Sequence, residues 1–201
     1  TARYPLFKEK PYVMKAFKNL QHRDIEGVIV IGGNGSLTGA HLLYKETGIP
    51  VIGIPASIDN DLHGTDMAIG VDTALNTITY NVDKIRDPAS SHSRIFVIEV
   101  MGRHCGYLAL NSAISCGALA VLMPELEDQF EPDVFCNLIY KAFRRSKKHA
   151  IIIKAEGFTR HTDDEIKAML SGYMGDRGIE KISMRFTNLG HIQRGGSPTS
   201  F

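Results

Sequence analysis

Two carboxylates, Asp59 and Asp61, stand two residues apart where the apolar run Val51 to Ile54 gives way to Pro55-Ala56-Ser57-Ile58-Asp59-Asn60-Asp61. Side chains at i and i+2 of an extended segment point the same way, so both acids can face one site. In open α/β sheets ligands gather outside the carboxyl ends of strands. With the Ser57 hydroxyl beside them, and no hydrophobic repeat through the segment, these residues suit proton abstraction and metal handling better than core building. A second candidate is Gly32-Gly33-Asn34-Gly35-Ser36, between an apolar run and a helical pattern. Backbone N–H groups and the helix dipole bind phosphate at such a turn, and glycine lets the chain approach the anion. Any tight strand-to-helix turn also favours glycine, so the motif alone leaves both readings open.

The elements that must position these groups alternate. Val28-Ile29-Val30-Ile31 is a β-branched run that reads as a strand buried on both faces, and Val51 to Ile54 repeats it. Between them Ser36 to Glu46 reads as a helix ending at Gly48-Ile49-Pro50. Val71, Ala74, Leu75, Ile78, Val82 and Ile85 fall at helical spacing, closed by Pro88. A strand at Ile95 to Val100, a small-residue helix from about Cys105 to Ser115 and a strand at Ala120 to Met123 follow. Pro132 to Arg145 reads as a helix and Ala150 to Ile153 as a strand, and Thr162-Asp163-Asp164-Glu165 as a capping box opening another helix. The class is parallel α/β. Gly64 to Gly70 is the candidate boundary between subdomains.

The 201 residues suffice for one or two domains. With 43% hydrophobic and 22% charged residues the composition is that of an ordinary globular protein. A formal net charge of +1 gives no global electrostatic reason to expect nucleic acid or an acidic membrane surface as partner. No apolar run is long enough to span a bilayer and no signal-peptide layout opens the chain, so a cytoplasmic location is expected. Cys105, Cys116 and Cys136 show no CxxC spacing and read as reduced, buried thiols. The histidines lack zinc spacing such as HExxH, and no zinc is expected.

Four motifs in order, Gly32-Gly33-Asn34-Gly35-Ser36, Pro55-Ala56-Ser57-Ile58-Asp59-Asn60-Asp61, Val100-Met101-Gly102-Arg103 and Leu189-Gly190-His191-Ile192-Gln193-Arg194-Gly195-Gly196-Ser197-Pro198, resemble the 6-phosphofructokinase family over nearly the whole chain. The resemblance implies two Rossmann-like three-layer αβα domains with mainly parallel sheets. One is a phosphoryl-donor domain at residues 1–70, to which 193–201 return; the other is a fructose 6-phosphate domain at 71–192. It implies transfer of the γ-phosphoryl group of ATP to the sugar 1-hydroxyl, and further chain before Thr1 and after Phe201. Asp59 matches the general base, Asp61 a carboxylate serving Mg²⁺ and site geometry, and Ser57 a hydroxyl contact to the moving phosphoryl. Arg103 and Arg3 match arginines near the phosphates. Gly33, Asn34, Gly35, Ser36 and Gly39 match the donor-binding turn, with Asn34 also on the metal. Met101, Gly102, Arg103, Glu156, His191 and Arg194 match the sugar-phosphate site. Arg94 and Arg185 match arginines that reach a neighbouring subunit, implying a homo-oligomer, a tetramer.

Each match has a plainer alternative. Glu156 could pair with Lys154, His191 could be a hydrogen-bonded core histidine, and Arg3 a solvated charge. The run Arg144-Arg145-Ser146-Lys147-Lys148-His149 reads as a solvated helix end rather than a nucleic-acid surface. The resemblance also places it, with Arg86, at an allosteric anion site, yet Leu119 stands where those relatives have an acid. Asn34 replaces the usual aspartate, losing a charge that Mg²⁺ favours. Gly35 and Ala56 are small where pyrophosphate-dependent relatives have aspartate and lysine, which favours ATP as donor. The alternatives are a pyrophosphate-dependent enzyme and a non-catalytic sugar-phosphate-binding subunit. Lipid and NAD kinases share a similar phosphate turn but lack the His191/Arg194 motif.

Overall fold

The computed structural model describes residues 4–90, 94–145, 147, 149–179 and 182–201, with the backbone alone at 87–90. The chain divides into two compact units, one of residues 1–57 and 62–69, the other of 58–61 and 70–201. The division at Ile69 and Gly70 falls at the end of the glycine-bearing stretch, and residues 193–201 group with the second unit, where Thr77 Oγ1 donates to the Gly195 carbonyl at 2.9 Å.

In the first unit β1 (Val28–Gly32) and β2 (Val51–Pro55) pair in parallel, Val28 opposite Val51 and Gly32 opposite Pro55. The connection is α2 (Asn34–Thr47), which stops at Gly48 in the left-handed region, φ 73°, just before Pro50. An additional helix, α1 (Lys10–Gln21), has Pro11 in its first turn, where a missing N–H costs nothing. Val13, Leu43 and Ile49 form the core, with Phe7, Phe17, Leu20, Val28, Leu42 and Val51 against it. The expectation that β1 is buried on both faces is corrected here: Ile29 and Ile31 are 64% and 62% exposed. In a strand alternate residues face opposite ways, and the core gathers on the Val28 and Val51 side alone.

The second unit is a parallel sheet in the order β4-β5-β3-β6. Its strands are β3 (Arg94–Val100), β4 (Ala120–Leu122), β5 (Ala150–Ala155) and β6 (Ser183–Asn188). Ile95 and Val97 of β3, with Ala150 and Ile152 of β5, pack against α5 (Pro132–Arg144) and α6 (Asp163–Gly175) through Phe135, Ile139, Ile166 and Leu170. Helices α3 (Val71–Ser90) and α4 (Tyr107–Cys116) pack against each other and against β3 and β5, completing a layered αβα arrangement. β5 is buried throughout, as its unbroken apolar run requires in a covered parallel sheet. The capping box is present as expected: Thr162 Oγ1 accepts from the Glu165 N–H at 3.2 Å, and Glu165 Oε2 accepts from the Thr162 N–H at 2.8 Å. α3 runs two residues beyond Pro88, because a proline in a last turn removes only one ladder bond.

Candidate active site

In the first unit, the backbone leaves β1 at Gly32 and enters α2 with Gly33 as its N-cap. Gly33 has no side chain with which to cap this end. A β-carbon at Gly32 would sit 2.7 Å from Cβ and Oγ of Ser36, and one at Gly33 would sit 3.4 Å from the Ser57 Cβ; at Gly35 it would meet nothing within 4 Å. Asn34, Gly35 and Ser36 are exposed, while Ser57 is half-buried. Gly39 instead lies under the Phe7 ring, where an added β-carbon would be 3.4 Å from Cδ1. Arg3 lies outside the described residues.

In the second unit, Asp59 is half-buried, and its Oδ1 is sealed from solvent without a hydrogen-bond partner. Burial pushes its carboxyl above the ordinary value, and repulsion from Asp61 and Glu156 adds to this, against the attraction of Arg194 and Arg103. A carboxylate so placed holds a proton more tightly than a solvated one, as a general base requires. Asn60, between the two acids, has φ 51°, and Cys105 Sγ lies 3.9 Å from its carbonyl. The carboxyl end of β3 supplies Met101, Gly102 and Arg103 in a tight turn closed by the Cys105 N–H on the Gly102 carbonyl at 2.8 Å. Gly102 has φ 143° and Arg103 φ 56°. Glu156, just past β5, clamps that turn: its Oε1 accepts from the N–H groups of Gly102 at 3.2 Å and Arg103 at 2.6 Å. It does not pair with Lys154, which bonds Glu99 at 3.0 Å and Asp163 at 2.6 Å. Past β6, the 3-10 turn Gly190–Arg194 carries His191 and Arg194, both exposed, so His191 is not a core residue.

Arg94 and Arg185 stand apart from this group. Arg94 opens β3 and Arg185 pairs with Phe96 early in β6, while the Met101 to Arg103 turn follows the other end of β3. Six strand steps put Arg94 about 20 Å from that end. Arg94 Nε is buried with no hydrogen-bond partner. Arg86 also lies elsewhere, lining a small cleft with Lys147, His149 and Leu119 and bonding the Cys116 carbonyl; Ser146 and Lys148 lie outside the described residues.

Some supporting residues were not anticipated. Gln193, buried, accepts from the Met101 N–H at 3.0 Å and donates to the Gly190 carbonyl at 2.9 Å, fastening the third motif to the fourth. Glu125 accepts from the Gly106 N–H at 2.7 Å, and Glu127 from the N–H groups of Thr159 and Arg160. Glu99 and Lys154 carried a visible signal, being charges that interrupt the apolar runs of β3 and β5. Among the described residues, no three His, Cys, Asp or Glu side chains group into a metal cage. Asp61 in the second unit offers a carboxylate and Asn34 in the first an amide oxygen, each by its chemistry a donor that a hard cation accepts.

A carboxyl of raised proton affinity with arginine charges acting on it, past the carboxyl ends of parallel strands, is an arrangement able to receive an anion. The family model for phosphofructokinase matches residues 1–201, and the chain belongs to that family. It is 47% identical over 201 residues to an ATP-dependent 6-phosphofructokinase of Aquifex aeolicus, covering all of this chain and 60% of that protein. It is 48% identical over 200 residues to a protein of the same name from Staphylococcus epidermidis, covering 99% and 59%. The chain thus spans about three fifths of the curated relatives it matches. Among solved structures, phosphofructokinase from Saccharomyces cerevisiae superposes with a TM-score of 0.83 at 33% identity, covering 98% of this chain and 29% of that one. A pyrophosphate-dependent phosphofructokinase from Marinobacter aquaeolei, at 21% identity and TM-score 0.77, covering 96% and 50%, shares the fold.

Proposed function

We propose that this chain carries the catalytic groups of an ATP-dependent 6-phosphofructokinase. The observation that carries the reading is Asp59: a half-buried carboxylate of raised proton affinity, with Arg103 and Arg194 near enough to act on its charge. Asp59 takes the proton of the sugar 1-hydroxyl as that oxygen bonds to the γ-phosphorus of ATP and the bond to ADP breaks. The positive charges of Arg103 and Arg194 oppose the charge that the phosphoryl and sugar phosphate bring, and phosphoryl transfer consists largely of such positioning and neutralisation. Glu156, His191, Met101 and Gly102 hold the sugar phosphate. The turn Gly33 to Ser36, with Gly39 and Arg3, takes the donor phosphates, and Ser57 contacts the group in transfer. Residues 1–70 serve the donor, with 193–201, and 71–192 the sugar.

The names and identities of the relatives support ATP, as does the open space at Gly35, where a larger side chain would compete with nucleotide. Mg²⁺, held by Asp61 and Asn34 together with substrate phosphates, would supply charge neutralisation. The active form is a cytoplasmic homotetramer in which Arg94 and Arg185 serve a neighbouring site. Their distance from this chain's own strand ends supports that. No helix among the described residues is long and apolar enough to cross a membrane.

Steady-state assays of the full-length protein with ATP and with pyrophosphate test the reading. Asp59→Ser should lower kcat by at least about 100-fold while the sugar KM stays within a few-fold, the pattern of a lost base. An unchanged kcat removes Asp59 from the mechanism, and turnover with pyrophosphate but not ATP overturns the donor.

A further inference from the structure

Three adjacent strands of the second unit carry a polar row in register. Lys154 of β5 stands opposite Glu99 of β3, which stands opposite Asn188 of β6. One carboxylate spans both neighbours: Glu99 Oε2 accepts from Lys154 Nζ at 3.0 Å and Oε1 from Asn188 Nδ2 at 2.5 Å. Lys154, only 6% exposed, has a second partner in Asp163 at 2.6 Å, the first residue of α6. These residues share the face of Ile95, Val97 and Ile152, otherwise packed against α5 and α6. A lysine in such a layer is costly unless paired, so the row needs a reason.

Its place supplies one. Each member sits just below a strand end that feeds the site: Glu99 two residues before Met101, Lys154 two before Glu156, Asn188 three before His191. Two strand steps are about 7 Å. Lys154 and Asp163 also bracket the loop that carries Glu156, so their ion pair closes its neck. From that loop Glu156 reaches the Gly102 and Arg103 N–H groups.

We infer that Lys154 is a positioning residue for sugar-phosphate binding, acting through Glu156: with Glu99, Asn188 and Asp163 it fixes the three strand ends relative to one another and holds the Glu156 loop at its neck. Lys154 touches no substrate. The inference rests on the reading of Glu156 and the Met101 to Arg103 turn as the sugar-phosphate site. Removing Lys154 leaves the half-buried Glu99 short of its cation, whereas removing both charges relieves that defect.

The test is a cycle of Lys154→Met, Glu99→Gln and the double variant in the full-length protein. The readouts are fructose 6-phosphate KM, ATP KM, kcat, and hydrogen exchange at the Gly102 and Arg103 amides. Lys154→Met should raise the sugar KM about 10-fold or more with kcat and ATP KM within about 3-fold, and should speed exchange at both amides; the double variant, which relieves Glu99 but still lacks the pair with Asp163, should recover part of both and not all. Asn188→Ala, which removes one bond to Glu99 and leaves the ion pairs, should move the same readouts less far, and serves if Lys154→Met does not fold. A lowered melting temperature with sugar KM and amide exchange unmoved would reduce Lys154 to a stability residue and overturn the inference, as would a double variant no better than the single. A wild-type protein without turnover on fructose 6-phosphate would fail the functional reading instead, and amide exchange would still decide the positioning.

Discussion

Gly157 offers the sharpest test of how the site is held. A β-carbon there would lie 3.1 Å from the Arg103 carbonyl carbon and 3.3 Å from the His104 Cα, with the Arg103 carbonyl oxygen nearer still. A carbonyl bond is about 1.2 Å long, and β-carbons do not approach other atoms within about 3 Å, so the two backbones must part by about 1 Å. Neither side can yield by rotating a side chain, because the obstacle is main chain. Gly157 directly follows Glu156, and Arg103 is one of the two residues whose N–H groups Glu156 holds. A displacement of about 1 Å in a positioned group costs about 100-fold in rate, or about 2.7 kcal/mol of transition-state stabilisation. Gly157→Ala should therefore lower kcat/KM for fructose 6-phosphate by roughly 10- to 100-fold, with the ATP KM little changed, in steady-state assays at saturating ATP. Overpacking should also cost about 1–3 kcal/mol by denaturant unfolding. Gly172→Ala in α6 is the control: its β-carbon meets nothing within 4 Å, and helix propensity favours alanine by up to about 1 kcal/mol, so activity should hold and stability rise. A Gly157→Ala enzyme within about 2-fold of wild type in kcat/KM would refute the claim that the backbone contact at Arg103 positions Glu156.

Thr162→Ala removes the cap of α6 and should cost about 1 kcal/mol by denaturant unfolding, with Glu165 keeping its bond to the N–H of residue 162. Asp59 should set an acid limb in kcat/KM: the base must be ionised, so activity falls as pH drops through a pKa that burial, Asp61 and Glu156 raise from its ordinary value. The same shift has a stability consequence. An acid whose pKa rises on folding binds its proton more tightly in the native state, so its contribution falls as pH rises from the ordinary carboxylate range through the native pKa. Asp59→Asn should accordingly raise the melting temperature at neutral pH, with the gain vanishing in acid. A variant no more stable than wild type at neutral pH would contradict the burial cost.

Periodicity made the alternating elements legible, because buried parallel strands are continuous β-branched runs and their helices repeat at 3–4 residues. It failed where that logic does not apply. Ser183–Asn188 reads Ser-Met-Arg-Phe-Thr-Asn, an edge strand whose alternating pattern lacks the apolar run, and α1 mixes lysines with its apolar stripe. The exposed Ile29 and Ile31 have the composition of a doubly covered strand, and composition does not say what covers it. Asp59 and Arg103 were legible as motif members and Glu156 only through the family resemblance, and the bonds that the Gly102 and Arg103 N–H groups donate to Glu156 were not legible. They join residues more than fifty positions apart, and only the β3–β5 register brings them together.

The three glycine-free left-handed residues among those described are Asp24, Asn60 and Arg103. Asp24 is in a turn after α1, where aspartate tolerates that conformation; the other two are at the site. An arginine with φ 56° is less readily accommodated, since its side chain stabilises no local turn. Such conformations persist only when their surroundings over-determine them. Arg103 has that support: Glu156 takes its N–H, the turn to Cys105 closes behind it, and the backbone at Gly157 presses on its carbonyl. Asn60 sits between Asp59, whose carboxyl burial pushes up, and Asp61, whose charge adds to that shift. Both non-glycine residues of positive φ described in the second unit thus lie at the site, one between the two acids and one bearing a guanidinium whose charge acts on Asp59. Beneath Arg103, β3 and β5 run in register and are joined by the Glu99–Lys154 pair, which gives its turn a regular base.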